Sequence, residues 1–183
     1  MITIRGPSVT MRGMAAPLSV TFVCTGNICR SPIGEVLLRD LLAAEGLAEQ
    51  VEVRSAGTGD WHVGEAADPR ALTVLHGHGH DLNGHRARQF RPTDFADADV
   101  VVALDRSHLR TLRALARNDE DREKIYLLRS FDPAARVAGQ PDVADPYFGT
   151  EDDFEATYAA VVAANHGLLA HVRELLGQRR TGS

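Results

Sequence analysis

Cys24 and Arg30 are separated by five residues in the segment Cys24-Thr25-Gly26-Asn27-Ile28-Cys29-Arg30-Ser31-Pro32. A loop of that length can curl until its main-chain N–H groups converge on one tetrahedral oxyanion, with a helix N-terminus behind it. Gly26 admits backbone conformations closed to other residues. Asn27 tolerates left-handed geometry and can hydrogen-bond its own loop. Pro32 suits the first turn of a helix, where its missing N–H costs nothing. The dipoles that seat an oxyanion also favour a thiolate, so Cys24 reads as a nucleophile. Arg30 supplies a planar fork matched to two oxygens of a phosphate. Ser31 can donate a hydrogen bond to the sulfur when it leaves a covalent intermediate. The implied chemistry is attack of sulfur on phosphorus, and it calls for neither a metal nor another cofactor.

An oxygen leaving phosphorus needs a proton, which a carboxylic acid can supply. Three Asp-Pro pairs offer one: Asp68-Pro69, Asp132-Pro133 and Asp145-Pro146. Asp68 reads as a helix cap followed by proline at the first helical position, and Asp132 as a turn residue. Asp145 lies in a loop stiffened by Pro141 and Pro146, and Pro146 pushes it towards an extended backbone. Tyr147, Phe148 and Gly149 follow, setting an acid beside a flat apolar wall that suits an aryl phosphate. Asp145 therefore ranks first as proton donor and, once ionised, as the base that activates water. Asp105 ranks second, with capping of the helix behind it as its main expected role. Trp61, the single tryptophan, follows a Gly-rich stretch and serves either the core or the wall of the site. Cys29 reads as a resolving thiol able to trap oxidised Cys24 as a disulfide, with simple packing as the alternative. His76, His78 and His80 alternate with Gly77 and Gly79, and a solvated turn is favoured over a metal site.

The elements that must position these residues follow from apolar patterning. Leu18–Val23, Val51–Ser55, Val100–Leu104 and Ile125–Leu127 are Val/Leu/Ile-rich runs without strict alternation, as expected of strands covered on both faces. Helical periodicity fills the gaps: Pro32–Glu45, a helix opening at Asp68-Pro69, Arg106–Leu115 capped by Asp105, and a last helix over about Asp153–Leu176. Strands alternating with helices imply right-handed βαβ units and a parallel sheet, whose ligands bind beyond the carboxyl ends of the strands. The expected fold class is α/β, a single three-layer domain. Residues 1–17 read as a mobile tail, 18–177 as the domain and 178–183 as a second tail, with Met1, Met11 and Met14 all plausible starts.

Composition narrows the partners. The chain has 183 residues, 44% hydrophobic and 25% charged, with a net charge of −5; that suits one globular domain. A net-negative protein draws neither nucleic acid nor anionic membranes non-specifically, and no run approaches the roughly 20 apolar residues of a membrane span. The two cysteines, Cys24 and Cys29, share one short segment and form no framework for stapling a secreted domain. A cytoplasmic location is expected.

The stretch Cys24 to Pro32 resembles the signature of low-molecular-weight protein tyrosine phosphatases, and the similarity runs from about Leu18 to Leu176. It includes Ser55-Ala56-Gly57-Thr58, Asp60-Trp61-His62, Arg86-Ala87-Arg88-Gln89, Asp105 and Asp145-Pro146-Tyr147-Phe148-Gly149. The resemblance implies a four-stranded parallel sheet flanked by helices, no cofactor, a phosphocysteine intermediate, and tyrosine-phosphorylated proteins as substrates. It also implies that Asn27, Ser31, Ser55 and His85 hold the loop in shape, while Trp61, Tyr147 and Phe148 flank the substrate ring. The family commonly carries tyrosine where this chain has Phe148. Arsenate reductases of a related fold share the Cys-x5-Arg loop but need further cysteines downstream, and none follows Cys29. Larger tyrosine phosphatases usually place histidine before the nucleophile, where this chain has Val23. A phosphotyrosine-binding module would dispense with the nucleophile or the acid, and both are present.

Overall fold

A computed structural model of the chain describes residues 16–181. The expected tail up to residue 15, with Met11 and Met14, and the last two residues lie outside the described part. Four strands, β1 (Leu18–Cys24), β2 (Val51–Gly57), β3 (Val100–Ala103) and β4 (Ile125–Leu127), form one parallel sheet in the order β2-β1-β3-β4. The six α-helices among the described residues are α1 (Arg30–Ala44), α2 (Pro69–Gly77), α3 (Arg106–Leu115), α4 (Asp119–Glu123), α5 (Pro133–Ala138) and α6 (Glu151–Thr181). The α/β class and the parallel sheet inferred from the apolar runs are borne out, with strand limits shifted by one or two residues.

Side chains alternate across the sheet and build two cores. Val20, Phe22, Val100 and Val102 pack with α1, α2 and α6 around Ile33, Leu38, Phe154 and Leu168. Val23, Val101 and Ala103 point the other way, towards Phe90, Phe95 and Leu112. Burial on both faces explains why the strands read as continuous apolar runs. The chain leaves β1 for β2 on one side and returns to β3 on the other. The loops after β1 and β3 therefore diverge around a crevice, the place where open parallel sheets bind ligands.

Several local expectations need revision. The terminal helix is longer than expected at both ends: Glu151, Asp152 and Asp153 complement its N-terminal dipole. At the far end Arg179 pairs with Asp99, and Arg180 donates to Gln50 at 2.7 Å, so tertiary contacts carry the helix past Gly177. Asp132 caps α5, accepting from the amides of Ala134 and Ala135 at 3.0 and 3.2 Å. The three histidines lie at the end of α2 and in the turn after it, His76 and His78 exposed as a solvated turn requires, and each also meets a carboxylate. His78 meets Glu155 of α6 at 2.8 Å, His80 meets Asp40 of α1 at 2.6 Å, and His76 lies 4.0 Å from Asp81. Sequence periodicity could not find carboxylates on distant helices.

Helix α1 approaches β1 closely because residue 34 has no side chain: a Cβ there would lie 2.5 Å from the buried Phe22 ring. Overpacking of this kind costs about 1–3 kcal/mol, against a helix-propensity gain of roughly 0.4 kcal/mol for valine over glycine. Gly34→Val is expected to lower unfolding free energy by at least about 1 kcal/mol in urea titration. A change below that would mean the Phe22 ring yields freely.

Candidate active site

The loop between β1 and α1 is shaped by what its carbonyls do. The amides of Thr58 and Gly59, from the loop after β2, donate to the carbonyls of Cys24 and Thr25 at 2.8 and 3.0 Å. The Asp68 amide donates to Ile28 O at 2.8 Å, and His85 Nε2–H to Asn27 O at 2.7 Å. In a planar trans peptide the N–H points opposite the carbonyl, so anchoring these oxygens outward turns the following amides into the loop. The result is a concave nest of N–H groups backed by the N-terminus of α1.

Asn27 holds that shape. It is fully buried and has φ 57°, the one positive φ outside glycine among the described residues. Its Nδ2 donates to Ser31 Oγ at 3.0 Å and Ser55 Oγ at 2.9 Å, and its Oδ1 accepts from the Arg88 amide at 2.9 Å. Ser55 passes its own proton to Glu35 Oε2 at 2.5 Å. Ser31 Oγ, already accepting from Asn27, lies 3.0 Å from Cys24 Sγ and 3.2 Å from Ala56 O. Its single hydroxyl hydrogen donates to the Ala56 carbonyl and can rotate to the sulfur. Left-handed backbone at position 27, not at Gly26, makes the turn. Gly26 is small for another reason: a Cβ there would lie 2.7 Å from the His62 ring.

Arg30, only 3% exposed, is fixed from behind. Nη1 donates to Asp105 Oδ2 at 2.7 Å and to Val143 O at 3.0 Å, and Nη2 donates to Asp145 Oδ2 at 2.9 Å. Five guanidinium N–H groups are available, so donors remain for an oxyanion. The two carboxylates differ in setting. Asp105 caps α3, accepting from the amides of Ser107 and His108 at 2.8 and 3.0 Å. Burial opposes its ionisation, but those bonds, the Ser107 hydroxyl and the Arg30 charge outweigh it and hold its carboxyl below the ordinary range. Asp145 is half exposed and turns its Oδ1 to the Tyr147 amide at 3.2 Å.

A cleft of about 220 Å³ opens above the loop, with Cys24, Thr25, Gly26, Ile28, Cys29 and Arg30 as its floor. Trp61, His62, Asp145, Tyr147 and Phe148 form the walls. Trp61 is 71% exposed and Phe148 97%, which settles the alternative for Trp61: it belongs to the wall, not the core. Tyr147 and Phe148 meet edge to face at 4.9 Å. Every residue singled out for the site comes to this crevice or, for Asn27, Ser31, Ser55, His85 and Asp105, directly behind it.

Known proteins resemble this chain in sequence and fold. The sequence profile of the low molecular weight phosphotyrosine protein phosphatases matches residues 19–178. The chain belongs to that family. It is 54% identical to a low molecular weight protein-tyrosine-phosphatase of Streptomyces coelicolor, over 85% of this chain and 93% of that protein. Against low molecular weight protein-tyrosine phosphatase A of Mycobacterium bovis the identity is 47%, over 90% and 98% of the two chains. A crystal structure of a protein tyrosine phosphatase from Entamoeba histolytica superposes with a TM-score of 0.80 at 28% identity, covering 86% of this chain and 97% of that one. The present protein is thus a protein-tyrosine phosphatase, a hydrolase.

Four contributors to the phosphatase site escaped sequence reading. Glu35 sits one helical turn after Ser31, a spacing that places both on one face of α1. His62 adjoins Trp61. Arg70 follows the Asp68-Pro69 cap. His108 lies three residues after Asp105 on α3, and its Nε2 lies 2.8 Å from Thr25 Oγ1 of the phosphate loop. At 2% exposure, His108 is buried, and that burial pushes its pKa from the usual 6.5 down to about 4 against the opposing pull of Asp105. The folded phosphatase therefore keeps this ring neutral where the unfolded chain protonates it. Between pH 6.5 and 4 the unfolded state binds more protons at this group, so its contribution makes stability fall as pH falls, by at most about 1.4 kcal/mol per pH unit. His108→Gln, which cannot titrate, is expected to flatten the dependence of urea-unfolding free energy on pH across this window. Identical slopes in parent and variant would remove His108 from that account.

Proposed function

We propose that this phosphatase hydrolyses phosphotyrosine in proteins through a covalent intermediate on Cys24. The thiolate of Cys24 attacks phosphorus while the bond to the tyrosine oxygen breaks, and Asp145 gives that oxygen its proton. Arg30 and the loop amides hold the equatorial oxygens, where charge sits in the transition state. Water then attacks phosphorus, ionised Asp145 takes its proton, and the S–P bond breaks. Sulfur departs as a thiolate beside the Ser31 hydroxyl, and inorganic phosphate is released. The cycle is closed by residues of the chain itself.

One observation carries this assignment. Arg30 bonds both Asp105 and Asp145 while sharing a cleft floor with Cys24, so phosphate clamp, nucleophile and acid converge on one anion-sized nest. Of the two acids, Asp145 is the one suited to proton transfer. Asp105 is committed to α3 and Arg30, whereas Asp145 lines the same cleft as Cys24. Preference for an aryl ester follows from depth: Cys24 is 3% exposed beneath exposed Trp61 and Phe148, a reach that fits tyrosine better than serine. A nucleophilic thiol needs reducing surroundings, which supports a cytoplasmic location and tyrosine-phosphorylated cytoplasmic proteins as substrates. Among the described residues no helix is long and apolar enough to cross a membrane.

Cys24→Ser is expected to abolish turnover, to below about 10⁻³ of the parent rate, while inorganic phosphate still binds. Hydrolysis at the parent rate would refute covalent catalysis. Asp145→Ala should lower kcat/KM for phenyl phosphate by about 10²- to 10⁴-fold, and far less for p-nitrophenyl phosphate, whose phenolate leaves without help. Equal losses on both esters would assign the proton elsewhere.

A further inference from the structure

Asp145 rides on an exposed turn, yet a general acid works only when its oxygen sits within hydrogen-bond reach of the leaving atom. Something must aim that turn. Its internal bonds, Gly149 N to Pro146 O at 2.8 Å and Tyr147 N to Asp145 Oδ1 at 3.2 Å, fix its curl but not its placement over the phosphate loop.

Arg30 holds one flank of the turn through Asp145 and the Val143 carbonyl; α2 holds the other. Arg70, the second residue of that helix, extends its guanidinium under the turn: Nη2 donates to Tyr147 O at 2.9 Å and Nη1 to Gly149 O at 3.0 Å. The opposite edge of the fork grips Asp68, with Nε on Oδ1 at 3.0 Å and Nη2 on Oδ2 at 2.8 Å. The guanidinium carbon lies 4.6 Å from the centre of the buried Phe154 ring. Asp68 in turn is tied to the floor of the site, its amide donating to Ile28 O at 2.8 Å. A continuous path therefore runs from the phosphate loop through Asp68 and Arg70 to the acid-bearing turn.

We propose that Arg70 is a positioning residue that holds the Asp145 turn at a fixed distance from the phosphate loop. Its side chain is not needed for the helix, because Asp68 already caps α2 through the Arg70 amide at 2.9 Å. Nor does Arg70 line the cleft, so it has no share in binding the anion. Only arginine can do this work. A planar fork reaches two carbonyls on one side and a carboxylate on the other, while lysine offers a single point of donation.

This inference rests on Asp145 being the acid, and the test separates the two. The full chain with Arg70→Met, which keeps an unbranched stem over Phe154 but no donors, is compared with its parent on phenyl phosphate and p-nitrophenyl phosphate. The loss in kcat/KM for phenyl phosphate should be at least about tenfold greater than for p-nitrophenyl phosphate, with inhibition by inorganic phosphate changed by less than about twofold. Arg70→Lys, which retains the charge, should show the same skew at smaller size. Should Arg70→Met fail to fold, Arg70→Lys decides. In an Asp145→Ala background, adding Arg70→Met should leave the ratio of the two esters within about twofold, because the group being aimed is gone. Equal losses on both esters, weakened phosphate inhibition, or an undiminished skew in the Asp145→Ala background would each overturn the proposal. If Asp145→Ala alone shows the skew and neither Arg70 variant does, the acid assignment stands and the positioning role falls. An Asp145→Ala without the skew overturns both.

Discussion

The site depends on one peptide unit held in an unfavourable shape. Asn27 occupies the left-handed region, which costs an ordinary residue about 1 kcal/mol or more. Without that turn the amides of the loop would not face a common centre. The cost is met by complete use of a buried amide side chain: two donors to Ser31 and Ser55, one acceptor for Arg88, and the main-chain oxygen held by His85. Each such bond contributes roughly 0.5–1.5 kcal/mol net, so together they exceed the strain. The same bonds limit proton direction. Asn27 donates to both serines, so Ser55 gives its hydrogen to Glu35, and the single hydroxyl hydrogen of Ser31 is left for the Ala56 carbonyl or the Cys24 sulfur. Shape and polarity of the nest arise from one residue.

Electrostatics then divides labour between similar groups. Arg30 is buried, and a buried cation needs partners. It finds two carboxylates and a carbonyl. Asp105, shielded and multiply bonded, stays a permanent anion that fixes the guanidinium. Asp145, half exposed and with fewer bonds, faces the cleft, where the proposed mechanism needs a proton donor. Two chemically identical side chains acquire different duties from solvent access and hydrogen-bond count alone. His108 extends the pattern: buried and neutral beside Asp105, it joins α3 to Thr25 without adding charge to an already crowded cluster.

Local chemistry was legible wherever a residue acts through its neighbours in the chain. Asp68 and Asp105 were readable as caps because capping is a contact of two or three residues, and both do cap. The strands were readable because burial on both faces leaves an apolar run. Partnerships across the fold left no such trace. Nothing near Glu35 announces Ser55, twenty residues on, and nothing near His78 or His80 announces Glu155 or Asp40. Arg70 gave no signal because its targets on the acid-bearing turn are main-chain carbonyls, which every sequence supplies. Trp61 was undecided for a related reason: composition says how apolar a side chain is, not whether the sheet leaves room to bury it.

The order of residues from Cys24 to Pro32, set after a buried strand and before a helix, determined by itself that this chain carries a phosphate nest with a sulfur in it. That much follows from short-range geometry, since strand, turn and helix start are all fixed within about ten residues. Tertiary structure decided everything that depends on distance. It set Asp145 at the crevice beside Cys24 with Asp105 behind it, gave the left-handed turn to Asn27 and not Gly26, and recruited Glu35, Arg70 and His108. These outcomes depend on which faces of α1, α2 and α3 the sheet turns inward, and a parallel sheet brings together residues more than a hundred positions apart, as Arg30 and Asp145 are.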